Sequence, residues 1–375
     1  MEGKILDGQT GLDWILWFLF IFLLSYISRE MEIYRIIKEI ETYLLLYGDI
    51  RRKAIDCVVK TFKDAASKNG NVIDETVVEQ RVLNLVETVF IEPVSLDPYG
   101  IINKLKHLII TSDETMSHEV RMILPSLDNV SLENLKDLIS AAHELNYIYK
   151  AVDHLYRMGK KFKSLWILMQ LQAQLPIITE YVRALESSLE AFSNGFPIGD
   201  SAGPLVVNTF VKKNAKEFNY KLIAEKTILI EMNYKDRKIY VIKAQGPSGV
   251  TGRLDDALYN LFSMKKNIKM IITVDAALKY EGEKSGLVID GIGVAIGGIG
   301  VEKFNIEKLA SEKGLPLYAI LVKMSIPEAL SIMSKEVTLG VDKAVERVEK
   351  IIEERTDVGD EIILIGVGNT VGVFP

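Results

Sequence analysis

Along most of the chain apolar residues come and go with a period, but between residues 12 and 28 they do not. Leu12–Ser28 reads LDWILWFLFIFLLSYIS, with no charge from Trp14 to Ile27 and five Phe and Trp within nine positions. A helix rising about 1.5 Å per residue needs roughly 17–25 such residues to cross a hydrocarbon layer. Gly11–Ser28 just meets that length, with Trp14, Trp17 and Tyr26 near its ends as in an interfacial aromatic belt. The pattern predicts an N-terminal transmembrane helix within residues 1–30.

From Met31 to Phe192 the apolar positions recur at three- and four-residue steps. One run is Leu145, Ile148, Val152, Leu155 and Phe162; the next is Trp166, Met169, Ile178, Val182, Leu185 and Leu189. This spacing predicts an all-α helical domain over residues 31–192. Pro176 predicts a kink or break, and the two prolines of Ile91–Pro98 mark a loop.

Ser193–Pro204 ends that rhythm with three Gly and two Pro. Beyond it, short β-branched runs alternate with amphipathic stretches. The predicted strands are Thr227–Met232, Lys238–Ala244, Lys269–Val274, Gly286–Ala295, Leu317–Lys323 and Glu361–Val367. The predicted helices are Leu205–Phe218, Arg253–Phe262, Ile306–Lys313, Pro327–Ser334 and Val341–Glu354. A turn at Asp236-Arg237 makes the first two strands a hairpin. Apolar strands separated by helices predict a Gly-rich α/β three-layer domain over residues 193–375, with a mostly parallel sheet.

Charge adds orientation. Glu2, Lys4, Asp7 and Asp13 precede the apolar run; Arg29, Arg35, Lys38, Arg51, Arg52 and Lys53 follow it. The positive-inside rule then predicts a single-pass protein of the cell membrane, N-terminus outside and C-terminal body cytoplasmic. A signal peptide and a buried core helix are the alternatives. The first lacks a basic start and a small-residue cleavage site; the second fits poorly with so many aromatics. The lone Cys57 rules out an internal disulfide and a cysteine-rich zinc site. A net charge of −6 without a basic stripe argues against nucleic acid as a partner.

The four histidines (His107, His118, His143 and His154) all lie in the helical half. His143 and His154 are eleven residues apart, about three turns, too far to share a metal. The chemistry is therefore sought in the α/β half, where ligands sit beyond the carboxyl ends of strands. Asp275 ends the strand MIITVD there. Gly-rich turns follow strands at Gln245–Gly252, Gly291–Gly300 and Gly366–Gly372. Gly246, Gly249 and Gly252 precede a helix whose N-terminus could hold an anion, and Gly366, Gly368 and Asn369 are the candidate ligand-binding residues of the last turn. Neither a Walker loop nor GxGxxG is present, and taken singly each glycine is better explained by a tight strand-to-helix turn.

Several of these segments together resemble a known fold group. Gly199–Val207 (GDSAGPLVV), the stretch IITVDAALKYEGEKSG around Asp275, and Met324–Glu354 are similar to the phosphorylase/hydrolase-like fold of the germination protease and the hydrogenase maturation endopeptidases. The DGIGVAIGGIG run resembles the germination protease most. In that fold a first strand ending in Gly-x-Gly-Asn precedes the acidic loop; here EIILIGVGNT comes at the other end, at Glu361–Thr370. The resemblance therefore implies a circular permutation that brings Asn369 beside Asp200. It also implies Asp200 and Asp275 as catalytic carboxylates, or as oxygen ligands of a divalent cation. The histidine that the hydrogenase peptidases use as a third ligand is absent, which speaks against nickel-guided cleavage. At whole-chain level the anchor, helical body and Gly-rich end resemble an archaeal membrane-anchored family of unknown function.

Three functions follow as expectations. The first is a membrane-tethered, peptidase-like hydrolase in which one of Asp200 and Asp275 keeps a proton while the other activates water. The second is a non-enzymatic module on the same fold that binds a peptide or small molecule. The third is a helical assembly scaffold that oligomerises through residues 31–192. No motif calls for a cofactor other than that possible cation. The plain alternative for the two aspartates is a helix cap at Asp200 and a satisfied turn at Asp275. Lys279, Glu281, Glu283 and Asp255-Asp256 read as a solvated rim.

Overall fold

A computed structural model describes residues 7–68, 74–91, 93–94, 96, 100–215, 217–265, 267–298 and 300–375. Glu2, Lys4, part of the Ile91–Pro98 loop, Lys216 and Ile299 lie outside them. The chain divides into two compact units, Met1–Arg52 with Leu145–Val182, and Lys53–Glu144 with Arg183–Pro375.

The first unit is helical. Helix α1 (Asp7–Lys68) runs through the charged residues Arg29-Glu30 without a break. Its segment from Trp14 to Ile27 exposes every large apolar side chain around the whole circumference. The helix is long and apolar enough to cross a membrane, and none of its most apolar 18-residue window is buried. Past Met31 one face turns inward at Ile33, Ile36, Ile40, Tyr47 and Ile50, the spacing of a single helical stripe. Within this unit the Tyr47 hydroxyl donates to the Leu175 carbonyl at 3.1 Å and Tyr156 to Glu41 at 2.7 Å. Helix α5 (Leu165–Asn194) carries Pro176 inside it and does not end there, so the expected break is absent.

The second unit holds α2 (Glu75–Val86), α3 (Ile101–Ile123), the first half of α4 (Asn129–Lys161) and the α/β body. The strands are β1 (Tyr220–Ala224), β2 (Thr227–Tyr234), β3 (Arg237–Ala244), β4 (Ile268–Leu278), β5 (Val288–Ile292), β6 (Leu317–Met324) and β7 (Glu361–Gly366). They form one sheet in the order β1-β2-β3-β7-β4-β6-β5. Helices α6 (Ala202–Asn214) and α10 (Lys335–Arg355) cover one face; α7 (Leu254–Met264) and α8 (Val301–Glu312) cover the other. The short α9 (Ile326–Leu330) follows β6.

The sheet is mixed, which corrects the expectation of a mostly parallel one. Only β3, β7, β4 and β6 run parallel; β1, β2 and β5 pair antiparallel. The reason is connection length. A parallel crossover needs a dozen or more residues, but β1–β2 and β2–β3 are joined by two residues each, and β4–β5 by the nine residues 279–287. Lys235 and Asp236, both at positive φ, make the β2–β3 turn, as hairpin twist favours.

Candidate functional site

The centre of the sheet builds the site. Val274 of β4 lies opposite Gly366, the last residue of β7. Asp275 is therefore the first β4 residue beyond the end of β7. It is not a loop residue as expected, because β4 continues to Leu278 along β6. The N-terminus of α6 closes on this step: a Cβ at Gly203 would collide with the carbonyls of both Val274 and Val367. Just before α6, Asp200 sits in a single 3-10 turn, Gly199–Ser201. The turn after β7 completes the group. Gly368 adopts φ +127°, and a Cβ there would strike the Asp200 carbonyl, so only glycine lets the chain pass. The next N–H, of Asn369, donates to Asp200 Oδ2 at 2.8 Å. Asp200 accordingly makes no side-chain cap on α6.

Asp200 and Asp275 line one cavity of about 310 Å³, together with Lys106, Arg253, Asp255 and Glu302. That volume lies at the lower end of small-molecule sites. Asp275 is 6% exposed and its Oδ1 accepts the Ala276 N–H at 2.7 Å. Burial holds its carboxyl well above the usual range, and the charge of Asp200 pushes it further, against the N–H groups of Ala276 and Gly297. Burial also raises Asp200, opposed by the Asn369 N–H. Among the described residues neither aspartate has an ion-pair partner. Two adjacent carboxylates without a countercharge do not readily ionise together, and Asp275 bears the like-charge effect.

The other candidate residues fall into two sets. Gly249 abuts Asp137 Oδ2 and Gly368 abuts Asp200. Gly246, Gly252 and Gly366 instead mark close packing against Val373, Thr227 and Val207. The N-terminus of α7, where an anion was expected, carries Asp255 and Asp256 in its first turn. Lys106 of α3 bridges them at 2.7 Å each. Asp255, expected on a solvated rim, is 3% exposed and also accepts from Asn305 at 2.7 Å. His143 Nδ1 lies 2.8 Å from the Val86 carbonyl, a packing role.

Three contributors went unread in the sequence. Lys106 and Asp137 come from the helical stretch, whose charges read as an outer face. Glu302, at the start of α8, has its carboxyl pushed by burial, and next by the charge of Asp255, to about 7. Asp137 sits on α4 among the buried Leu135, Leu138 and Ile139; burial raises it to about 7 as well. No local signal marks Asp137, because charges and leucines alternate in Leu132–Ser140 as on an amphipathic surface helix. Among the described residues no three His, Cys, Asp or Glu side chains are grouped to hold a metal ion. Asp200, Asp255, Asp275 and Glu302 are the carboxylates that line the cavity.

Residues 14–195 match the model of the N-terminal domain of a protein of unknown function, DUF1512. Residues 198–374 match the model of the DUF1512 C-terminal domain. The chain is built from both DUF1512 domains. No curated protein matches it. Both DUF1512 domains contribute to the site: Lys106 and Asp137 lie in the N-terminal match, and Asp200, Asp275, Glu302 and Asn369 in the C-terminal one.

Proposed function

We propose that this protein is a membrane-tethered hydrolase of the peptidase type, with Asp275 as general acid and Asp200 as general base. The observation that carries the reading is the pair itself: two carboxylates facing one cavity at the strand ends, Asp275 buried and Asp200 half-buried, with no ion-pair partner for either among the described residues. Asp200, steadied by the Asn369 N–H, takes a proton from water. The water oxygen attacks the substrate carbonyl, and Asp275 gives its proton to the leaving nitrogen as the carbon–nitrogen bond breaks. Such acid–base pairs contribute typically 10²–10⁴-fold when their protonation states differ. The resemblance of residues 200–375 to the germination protease group supports the same assignment. Trp14–Ile27 would hold the enzyme in the cell membrane, its body on the cytoplasmic side with Arg29, Arg35 and Lys38. Carbonate extraction of the full chain checks this; release into the soluble fraction would overturn it.

A diazoacetyl amino-acid ester tests the chemistry without a known substrate. It takes the proton of a protonated, accessible carboxyl, loses N₂ and leaves an ester that peptide mapping locates. Esterification of Asp275 together with turnover of a denatured-peptide library is expected. Asp275→Asn should abolish both while leaving the thermal midpoint nearly unchanged. Saturable peptide binding without product, in a wild type that resists the reagent, would replace the enzyme with a binding module.

A further inference from the structure

Helix α4 reaches the site through the Asn369 amide. The Asn369 side chain donates through Nδ2 to Asp137 Oδ2 at 2.9 Å, while its Oδ1 accepts the Val371 N–H at 2.8 Å. The same residue's backbone N–H is the one held by Asp200. One turn away on α4, Asn134 Oδ1 accepts the Gly249 N–H at 2.9 Å. Positions three apart share a helix face, so one face of α4 grips both loops of the site. Gly249 leaves room for the Asp137 carboxyl in this position, since a Cβ there would overlap Asp137 Oδ2. The two loops are also tied to each other, because the Thr370 N–H donates to Val250 O at 3.1 Å and its hydroxyl sits 2.9 Å from Ser248 O.

We infer that Asp137 is a positioning residue of the Asp200–Asp275 pair: by anchoring the Asn369 amide it holds the Asn369 N–H on Asp200, so the N-terminal family domain completes a site otherwise built by the C-terminal one. The inference rests on the acid–base reading of that pair. Asp137 touches no substrate in this role; it acts through Asn369. Charged groups face it from several elements. Glu133 and Lys136 lie on α4, Asp113 on α3 and Lys226 in the β1–β2 turn, and Glu225, Arg253 and Glu302 line the same cavity of about 410 Å³. Lys136 and Lys226 are both engaged by Asp113 and Glu133, which leaves the neutral Asn369 amide as the bonded partner of Asp137.

The test is carboxyl titration by NMR of the full chain in detergent micelles with ¹³Cγ-aspartate, the Asp200 and Asp275 signals assigned by their Asn variants. Asp137→Ala removes the acceptor, so the Asp200 N–H bond loosens and the Asp200 midpoint should rise by on the order of one pH unit. Asp137→Asn keeps an acceptor oxygen and should titrate as wild type does. Asn369→Ala cuts the same link from the other side with its backbone N–H retained; it should reproduce the shift, and serves if Asp137→Ala does not fold. Unchanged midpoints in folded Asp137→Ala or Asn369→Ala, or an equal shift in Asp137→Asn, would overturn the positioning role. A merely structural Asp137 would lower the thermal midpoint of these variants without moving either titration. The midpoints are read without turnover, so an inert wild type would sink the hydrolase and leave this comparison readable.

Discussion

Two sets of carboxylates stand within one compact unit, and they are held in opposite ways. Asp113 and Glu133 alternate with Lys136 and Lys226 in a square: Lys136–Glu133 is 3.0 Å, Lys226–Asp113 and Lys226–Glu133 are 2.9 Å each, and Lys136 also bonds Asp113. Among the described residues Asp137, Asp200 and Asp275 form no ion pair and accept from amide N–H groups. The first set is matched charge for charge. The second stays near its proton, as buried carboxylates without countercharge do. Matched charges fix a fold; mismatched ones keep a proton ready to move.

The largest effect should come from breaking the square. Lys136 is 5% exposed, so Lys136→Met leaves Asp113 and Glu133 with one lysine between them. Removing one partner of a buried charge group costs about 3–5 kcal/mol. The lower end is expected, since Asp113 keeps some access to water, and chemical denaturation reads it. The same substitution should leave Asp275 esterification in the surviving folded fraction nearly intact.

The second set predicts the opposite pH behaviour. Burial pushes Asp137, and likewise Glu302 on the same cavity wall, up to about 7 in the folded chain, against about 4 when unfolded. Between those values the folded state binds more protons, so stability falls as pH rises from about 4 to 7. For Asp137 the ceiling is about 4 kcal/mol, at 1.36 kcal/mol per pH unit. Urea midpoints at pH 5 and pH 8 should therefore differ less in Asp137→Asn than in wild type. An unchanged difference would mean that Asp137 is not protonated in the fold.

The backbone of the site separates from its charges in Gly203→Ala. The added methyl meets the Val274 carbonyl of β4 and the Val367 carbonyl just past β7. Overpacking of this kind costs about 1–3 kcal/mol, and the α6 N-terminus must lift, carrying Asp200 away from Asn369. Loss of stability together with a displaced Asp200 titration is expected. Gly249→Ala meets only the turnable end of Asp137 and should cost less, while shifting the same titration.

How much of this was legible follows from what each pattern encodes. The central strands announced themselves because the middles of β3, β4 and β7 are buried on both faces and rich in isoleucine and valine, as in Ile362–Ile365. Strand direction is not written in such a run. It is set by connection length, and the two-residue and nine-residue links would have predicted the mixed sheet had they been counted. β1, five residues of which three are exposed and two half-buried, has no period to detect. Asp200 and Asp275 stood out because each interrupts an apolar or Gly-rich stretch where a polar side chain needs a reason. Asp137 did not, because in LENLKDLIS charges and leucines alternate as on any amphipathic surface helix. Its burial comes from the loops that pack on α4, and they arrive from more than a hundred residues away.

The finest division is between two neighbours on one lysine. Asp255 and Asp256 each accept from Lys106 at 2.7 Å, yet the Asp255 side chain is 2% exposed and that of Asp256 is 47%. Equal distances do not mean equal worth. An ion pair reaching into water gains little over hydration and is screened by salt, so Asp256→Asn should cost no more than about 0.5 kcal/mol, a difference that shrinks at high salt. Asp255 also holds Asn305 and lies on the cavity wall. Asp255→Asn turns one of its two buried acceptors into a donor and should cost about 1–3 kcal/mol, insensitive to salt. Equal, salt-sensitive losses in the two variants would return Asp255 to the solvated rim that its sequence suggested.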